Sequence, residues 1–157
     1  MKLYLVQHGA AVPKEEDPDR PLSETGAADV RNTAAFLARA GVRASVILHS
    51  GKTRAAQTAE RLAASVGAGD PPETVAGIAP LDPTSGFAAT VNEWAADTIV
   101  VGHLPFLGKL VSRLIAGNEA KPTVTFRPGG VVCLERDEGG SWSIAWMMRP
   151  ELLRGQD

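Results

Sequence analysis

Three short runs of apolar residues dominate the first two thirds of the chain, and none of them alternates apolar with polar positions. They occupy residues 3–6, 45–48 and 98–101, and β-branched residues are common in them. Continuously apolar runs of this length are typical of strands that are buried on both faces, as in a parallel sheet. The pattern therefore predicts three buried strands.

Four other segments place apolar side chains at the three- and four-residue spacing of an amphipathic helix. The first begins after Ser23, a favourable N-cap residue, and ends at Gly41. The third begins after Pro83, and the fourth begins near Pro105 and ends at Gly117. The periodic positions are Ala27, Val30, Ala34 and Leu37, then Ala55, Ala59, Leu62 and Val66, then Phe87, Val91 and Trp94, and finally Leu107, Leu110, Val111, Leu114 and Ile115.

The C-terminal part of the chain has a different pattern. Residues 131–135 and 142–146 flank a turn sequence at 137–140, which predicts a β-hairpin, and residues 74–76 predict one more short strand. Strands that alternate with helices predict an α/β sandwich with a largely parallel sheet, to which the hairpin adds an antiparallel edge. We expect residues 1–157 to form a single domain, frayed from about Gly155.

Composition excludes several classes of protein. The chain has 157 residues, a formal net charge of −2 and one cysteine. A single cysteine excludes an intramolecular disulfide framework and multi-cysteine metal sites, and the balanced charge provides no surface for nucleic acid or membranes. No apolar run approaches the ~18–20 residues of a membrane span, and the N-terminal run is shorter than the about 7–15 residues of a signal-peptide core. We therefore expect a soluble, cytoplasmic protein.

Each of the three predicted buried strands is followed, directly or within two residues, by a histidine. These histidines are His8, His49 and His103. Ligands of open α/β sheets bind in the crevice at the carboxyl ends of the strands. We therefore expect all three imidazoles to lie near one crevice.

The residues that follow these strands also favour an anion. Residues 50–54 and 102–105 open the second and fourth predicted helices, so backbone N–H groups and positive helix ends point into the crevice. Arg54 adds a planar guanidinium suited to phosphate, and Gly9 permits a tight turn after His8 through a positive φ. Together these features predict a phosphate site. In such a site a neutral imidazole can attack a phosphoryl group and form a phosphohistidine that water hydrolyses.

An ordered set of short motifs carries a resemblance to a known family. The set resembles the histidine phosphatase superfamily and, within it, the small SixA-type phosphohistidine phosphatases, over about residues 1–136. The motifs are His8-Gly9, Arg20-Pro21-Leu22-Ser23 followed by Gly26, Ser50 to Arg54 followed by Gln57-Thr58, Gly102-His103-Leu104-Pro105, and Gly117-Asn118-Glu119.

This resemblance implies a three-layer α/β/α sandwich of the phosphoglycerate mutase type, with a mixed, mostly parallel sheet. It implies that His8 is the nucleophile that becomes phosphorylated, and that Arg54 and His103 bind the phosphoryl oxygens. Arg20 is expected to reach the same pocket from the loop after the first strand, and Gly9 is expected to belong to the substrate-binding set. The implied reaction uses no cofactor and no metal.

Gln7 departs from the family pattern, which has arginine before the nucleophilic histidine. Its amide can still bind phosphate by hydrogen bonding, but it supplies no positive charge. Losing one charge-assisted contact costs roughly 1.5–3 kcal/mol of phosphate interaction. Arg20, Arg54 and Lys52 are the cations that can compensate for this loss. Without compensation, the protein is expected to be a weak catalyst or a phosphate-binding relic.

The group that protonates the leaving group is not evident in the sequence. Asp82 is the best-placed carboxylate by chain position, but an N-cap for the third helix is the favoured interpretation of this residue. A phosphoramidate leaving group needs less assistance than an alkoxide. The lack of a strong acid would therefore suit a phosphohistidine substrate.

Other conspicuous residues have structural interpretations. We expect His49 to be a packing residue of the pocket wall, and Gln57 to support Arg54 from one turn along the helix. Cys133 is expected in the core. Trp142 and Trp146 are expected to pack on one shared face of their strand.

The favoured hypothesis is a cofactor-independent phosphatase that acts on phosphohistidine in a protein, because a short chain leaves few insertions to roof the crevice. A phosphatase of a small phosphorylated metabolite is one alternative. A noncatalytic phosphate- or phosphoprotein-binding module, prompted by Gln7, is another. The last is a metal-dependent hydrolase with His8, His49 and His103 as ligands.

Overall fold

The computed structural model describes residues 1–155 and contains one six-stranded sheet with helices on both faces, which confirms the predicted α/β sandwich. The strands are β1 (Lys2–Gln7), β2 (Val46–His49), β3 (Glu73–Thr74), β4 (Thr98–Gly102), β5 (Val131–Arg136) and β6 (Trp142–Met148). The helices are α1 (Glu24–Arg39), α2 (Thr53–Val66), α3 (Thr84–Asn92) and α4 (Phe106–Ala116), with a 3-10 helix at Pro150–Leu152. Within residues 1–155, every helix is too short or too polar to span a bilayer. Apart from Gly155 itself, the expected fraying concerns residues outside the described range.

The sheet brings the carboxyl ends of three parallel strands to one edge. The strand order is β3-β2-β4-β1-β5-β6. Strands β1 to β4 run parallel, whereas β5 is antiparallel to β1 and β6 is antiparallel to β5. The chain therefore leaves β1, β2 and β4 at the same edge, where His8, His49 and His103 lie.

Side chains of β1 alternate between two hydrophobic layers. Leu3 and Leu5 pack with α3 and α4, whereas Tyr4 and Val6 pack with α1 and α2. Burying one such leucine or valine contributes about 1.5–3 kcal/mol. Cys133 lies in the second layer, as predicted, and burial raises the pKa of its thiol to about 11. Packing on both faces fixes the strand ends and therefore the loops that follow them.

Trp142 and Trp146 lie on opposite faces of the sheet, so the prediction of a shared face is wrong. Trp142 packs on the side of α3 and α4, and Trp146 packs on the side of α1 and α2. The cause is a β-bulge, because Cys133 pairs with Trp146 while Leu134 pairs with Ile144. One extra residue in a strand shifts the two-residue alternation and moves the following side chains to the other face.

Two glycines bring the loop after β1 against α1. The predicted positive φ at Gly9 is wrong, because Gly9 is not among the described residues with positive φ. A Cβ at Gly9 would instead lie 2.7 Å from Val30 Cγ2 and 2.9 Å from Leu22 Cδ2. A Cβ at Gly26 would collide with the carbonyl oxygen of Ala10. Close packing, not a left-handed turn, therefore requires glycine at these positions.

The motif at residues 117–119 joins two helices. Glu119 accepts a hydrogen bond from the Thr84 hydroxyl, and its Oε2 lies 3.3 Å from Arg113 Nη2. Arg113 Nε also donates to Thr84 Oγ1 at 2.8 Å. These contacts connect the start of α3 to the end of α4, so Glu119 has a structural role.

Candidate active site

Three side chains from separate elements converge at the carboxyl edge of the sheet. His8 follows β1 and His103 follows β4, and the centroids of their rings are 5.0 Å apart. Arg54 lies in the first turn of α2, and its Nε is 3.4 Å from His8 Nε2. Two neighbouring strands and one helix start thus bring these three predicted site residues together.

The tautomer of His8 follows from one hydrogen bond. Its Nδ1 lies 2.7 Å from the carbonyl oxygen of Gly9, which can only accept, so Nδ1 carries the proton. Burial lowers the pKa of His8, the Gly9 hydrogen bond opposes this shift, and the charges of Arg54 and Arg20 add to it; together these effects bring the pKa to about 4. At neutral pH the ring is therefore uncharged, and Nε2 carries the lone pair, which accepts a hydrogen bond from Arg54 Nε at 3.4 Å.

His103 is also uncharged at neutral pH. The residue is 2% exposed, and its Nε2 lies 2.6 Å from Ser50 Oγ. Burial above all, together with the charges of His8, Arg54, Lys52 and Arg20, lowers the pKa of His103 to about 3. A neutral imidazole beside an oxyanion acts as a hydrogen-bond donor through one N–H.

The charges that shift the pKa values of these two histidines are cationic. Burial and then Arg20 lower the pKa of Arg54 as well, which places the two guanidinium groups within electrostatic range of each other. Arg20 Nε donates to the carbonyl oxygen of Val12 at 3.2 Å. Such a group of cations attracts an oxyanion and raises its local concentration.

Gln7 places an unpartnered amide oxygen next to His8. The residue is 8% exposed, and its buried Oε1 has no hydrogen-bond partner within the described part of the chain. A buried polar atom without a partner costs about 1–3 kcal/mol, and an oxyanion would not satisfy this one, because an amide oxygen only accepts hydrogen bonds. The backbone of Gln7 is fixed because the residue pairs with Gly102 of β4.

Two predicted supporting roles are wrong. Gln57 Oε1 accepts a hydrogen bond from Leu22 N at 2.8 Å, so Gln57 supports the loop after β1 and not Arg54. Asp82 is not the N-cap of α3, which lies one residue later. Its Oδ2 accepts from Ala79 N at 2.8 Å and closes a turn. The leaving-group acid therefore has no assigned residue.

Thr58 has a role in the structure that its sequence motif alone did not indicate. Its Oγ1 accepts a hydrogen bond from Gly9 N at 3.1 Å and donates to the carbonyl oxygen of Arg54 at 2.8 Å. The N–H that Gly9 could offer to a phosphate is therefore already used, and Gly9 instead positions His8 through its carbonyl oxygen. The sequence does contain a signal for this role. Thr58 lies four residues after Arg54, and residues at positions i and i+4 lie on the same face of a helix.

Ser50 was missed as well, although it directly follows β2, where functional loops begin. The neighbouring His49 is 8% exposed and accepts a hydrogen bond from Gly51 N through Nδ1 at 3.0 Å. His49 is thus a packing residue, as predicted, that also holds the loop carrying Ser50.

Among residues 1–155, no group of three or more His, Cys, Asp or Glu side chains is arranged to hold a metal ion.

The depressed pKa values predict how stability depends on pH. We expect His8 to titrate near pH 4 and His103 near pH 3, below the ordinary value of 6.5. Below pH 6.5 the unfolded chain then binds more protons than the folded one, so the free energy of unfolding falls as the pH falls. The contribution of His8 levels off below about pH 4 and that of His103 below about pH 3. NMR titration of the ring carbons and urea denaturation at several pH values measure both effects. Ring pKa values near 6.5 would contradict the buried, neutral site.

The sequence is similar to that of histidine phosphatases. The family model of the histidine phosphatase superfamily (branch 1) matches residues 3–81. The phosphohistidine phosphatase SixA of Escherichia coli (strain K12) is 29% identical over 155 residues, which cover 96% of this chain and 94% of that protein. An uncharacterised protein of Picosynechococcus sp. is 36% identical over 124 residues, which cover 74% of each chain.

The fold has a close match among solved structures. The protein histidine phosphatase SixA complexed with tungstate superimposes with a TM-score of 0.87 at 26% sequence identity. The match covers 98% of this chain and 100% of that chain. It confirms the three-layer, phosphoglycerate mutase-like sandwich that the motifs imply.

Proposed function

Because this chain belongs to the histidine phosphatase superfamily, we propose that it is a phosphohistidine phosphatase that removes phosphate from a phosphorylated protein. The observation that carries the proposal is the state of His8, whose Nδ1 donates to Gly9 while the lone pair of Nε2 accepts a long hydrogen bond, 3.4 Å, from Arg54 Nε, which an incoming phosphoryl group can displace. A nucleophile in this state needs no separate base to activate it. The similarity to SixA along nearly the whole chain supports phosphohistidine as the substrate group.

The proposed reaction has two steps. In the first, His8 Nε2 attacks the phosphorus and the Nε2–P bond forms, while the P–N bond to the substrate imidazole breaks and its electron pair goes to the substrate nitrogen, which takes up a proton from solvent. In the second, a water molecule attacks the phosphorus and loses a proton to solvent, and the Nε2–P bond breaks with its electron pair returning to Nε2, which restores His8 to its starting state. The net reaction consumes one water molecule, whose proton ends on the substrate imidazole and whose hydroxyl ends on phosphate.

The surrounding groups would stabilise the charge of the transferring phosphoryl group. Arg54 and Arg20 supply positive charge, and His103 would supply a neutral N–H donor through Nε2 once the anion replaces the Ser50 hydroxyl as its partner. Phosphoryl transfer depends mainly on such positioning and electrostatic stabilisation. The tungstate complex of the structurally similar protein supports an oxyanion as the ligand of this fold, because tungstate and phosphate are both tetrahedral oxyanions.

The leaving group favours a phosphoramidate substrate. The Asp82 carboxylate is engaged by the backbone of its own turn, and the charges that act on the two site histidines are cationic. An alkoxide leaving group would need a proton from a strong acid, whereas an imidazole leaves with less assistance. These features support phosphohistidine over a phosphate ester.

Turnover of defined phosphorylated probes tests the proposal. We expect a histidine peptide phosphorylated with phosphoramidate to be hydrolysed with a kcat/KM at least about tenfold above that of a phosphoserine peptide or p-nitrophenyl phosphate, a difference of about 1.4 kcal/mol in transition-state stabilisation. Activity should survive EDTA, because the proposed chemistry uses only side chains. Free phosphate release, measured with and without EDTA, gives the rates.

The other outcomes distinguish the alternatives. Oxyanion binding without turnover of any probe would support a noncatalytic binding module. Turnover of p-nitrophenyl phosphate without turnover of the phosphohistidine peptide would support a small-molecule phosphatase. Loss of activity in EDTA with recovery in a divalent ion would support a metal-dependent hydrolase.

Gln7→Arg should strengthen oxyanion binding. The substitution adds a cation where Gln7 Oε1 has no partner, and we expect the inhibition constant for vanadate to fall about tenfold, or ~1.4 kcal/mol for a partly desolvated charge-assisted contact. The gain should shrink as salt rises, because part of it is Coulombic. Turnover should rise if the added charge matches the transition state better than the ground state.

Vanadate inhibition of both proteins at two salt concentrations measures this effect. Unchanged or weaker inhibition of Gln7→Arg would show that Arg20 already fills the space and that the pocket is complete without a further cation. Thermal melting of the variant is the control, since the site of substitution is buried.

A further inference from the structure

Two neighbouring residues of α2 hydrogen-bond to the two ends of the loop that follows β1. Thr58 contacts Gly9 near the start of the loop, and Gln57 contacts Leu22 near its end. We propose that Gln57 and Thr58 form a loop clamp, in which Thr58 orients the nucleophilic imidazole and Gln57 positions the cation of the loop. This inference rests on the proposed phosphatase function and concerns the same site.

The hydrogen bonds of Thr58 can run in only one direction. A backbone N–H only donates and a carbonyl oxygen only accepts, so Thr58 Oγ1 accepts from Gly9 N at 3.1 Å and donates to Arg54 O at 2.8 Å. Gly9 O in turn accepts from His8 Nδ1 at 2.7 Å. Thr58 is fully buried, so water does not compete for these contacts. The helix that carries Arg54 therefore also fixes the residue that sets the tautomer of His8.

The contact of Gln57 lies just beyond a strained residue. Arg20 has a φ of 48°, a left-handed conformation that is uncommon for a residue other than glycine. Such conformations persist where the surrounding contacts over-determine them. The Arg20 N–H donates to Asp17 O at 3.0 Å, and two residues later Gln57 Oε1 accepts from Leu22 N at 2.8 Å. The loop itself holds this stretch through hydrogen bonds from Val12 N to Pro21 O and from Ser23 N to Ala10 O, each at 2.9 Å, and Gln57 adds the contact that ties it to α2.

The two halves of the clamp should affect different steps. Thr58 acts through Gly9 on the direction of the His8 lone pair, which matters for attack on phosphorus. Gln57 acts through the loop on the placement of Arg20, which matters for holding the anion. A change in kcat is therefore expected from the first residue, and a change in anion affinity from the second.

Thr58→Val tests the first half, because it removes the hydroxyl and keeps the shape of the side chain. With p-nitrophenyl phosphate as the probe, we expect kcat to fall about 30-fold, within the range for misplaced reacting groups, while KM changes less than about threefold. The ¹⁵N shifts of His8 should move toward a mixture of tautomers. Thr58→Ser, which restores a hydroxyl, should recover most of the loss. Thr90→Val is the matched control, since Thr90 makes the same type of hydrogen bond to Gly86 in α3.

Gln57→Met tests the second half, because it keeps the length of the side chain and removes the acceptor. We expect the inhibition constant for vanadate to rise about tenfold, as for the loss of one charge-assisted contact, while kcat falls less than about threefold. Gln57 is only half-buried, so this variant does not depend on the tolerance of the core to substitution.

Several results would overturn the loop clamp. One is equal loss in Thr58→Val and Thr58→Ser, or no loss in either. Another is an unchanged His8 ¹⁵N spectrum in Thr58→Val together with unchanged vanadate inhibition or binding in Gln57→Met. The NMR spectra and vanadate binding by calorimetry need no turnover. If the wild-type protein hydrolyses no probe, the proposed function fails, and the clamp is still judged by these two measurements.

Discussion

His8→Asn is expected to lower kcat for every phosphorylated probe by at least about 10⁴-fold, because it removes the atom that forms the bond to phosphorus. Asparagine is the informative replacement. Its side-chain amide can still donate to the carbonyl oxygen of Gly9, as His8 Nδ1 does at 2.7 Å. The loop should therefore keep its conformation while the nucleophilic lone pair is lost.

Rapid-quench experiments test the same prediction directly. The wild-type protein should carry an acid-labile, alkali-stable phosphoryl group on His8 during turnover, and His8→Asn should carry none. Vanadate should still bind to the variant, since Arg54 and His103 remain. Activity of the variant above about 1% of wild type would show that water or another side chain attacks phosphorus.

Arg54→Met is expected to lower kcat/KM by about 10³-fold, or ~4 kcal/mol, because it removes a partly desolvated guanidinium aimed at the transferring group. Arg54→Lys should recover only part of this loss, since an ammonium keeps the charge and loses the planar fork. Arg54 is also a cation that lowers the pKa of His8, so the pKa of His8 should rise in Arg54→Met. Steady-state kinetics and NMR titration measure the two effects.

Lys52→Met is the matched control for removal of a cation. Lys52 lies at the N-cap of α2, one residue before the helix that carries Arg54, and it is exposed. Screening by solvent and salt should limit its effect on kcat/KM to about threefold. Equal losses in Lys52→Met and Arg54→Met would mean that net charge, and not a placed guanidinium, drives anion binding.

Much of the fold was predictable because its signals are local. The apolar runs that became β1, β2 and β4 are buried on both faces, and this pattern is visible in a few consecutive residues. The histidines follow these runs, so the topology of a parallel sheet was enough to place His8 and His103 at one edge. The sequence alone therefore determined the architecture and the candidate site.

Only the tertiary structure decided which atoms meet. The partner of Gln57 is Leu22, 35 residues away, and the partner of His103 is Ser50, 53 residues away. The spacing of residues along a helix predicts which side chains share a face of that helix, but not which residues of other segments pack against that face. The expected contact of Gln57 with Arg54 was therefore wrong.

The two tryptophans show the same limit for a strand. The alternation of side chains along a regular strand predicts that Trp142 and Trp146 lie on the same face of the sheet. The bulge puts one extra residue of β6 opposite Cys133 and Leu134, and this places the two tryptophans on opposite faces. The spacing of apolar residues reveals a regular helix or strand, because that spacing is a local property of one segment. A bulge or a side-chain hydrogen bond also depends on a second segment, and only the folded structure shows where that segment lies. The chemistry of His8 depends on such a contact, because Thr58 holds the Gly9 peptide that fixes its proton.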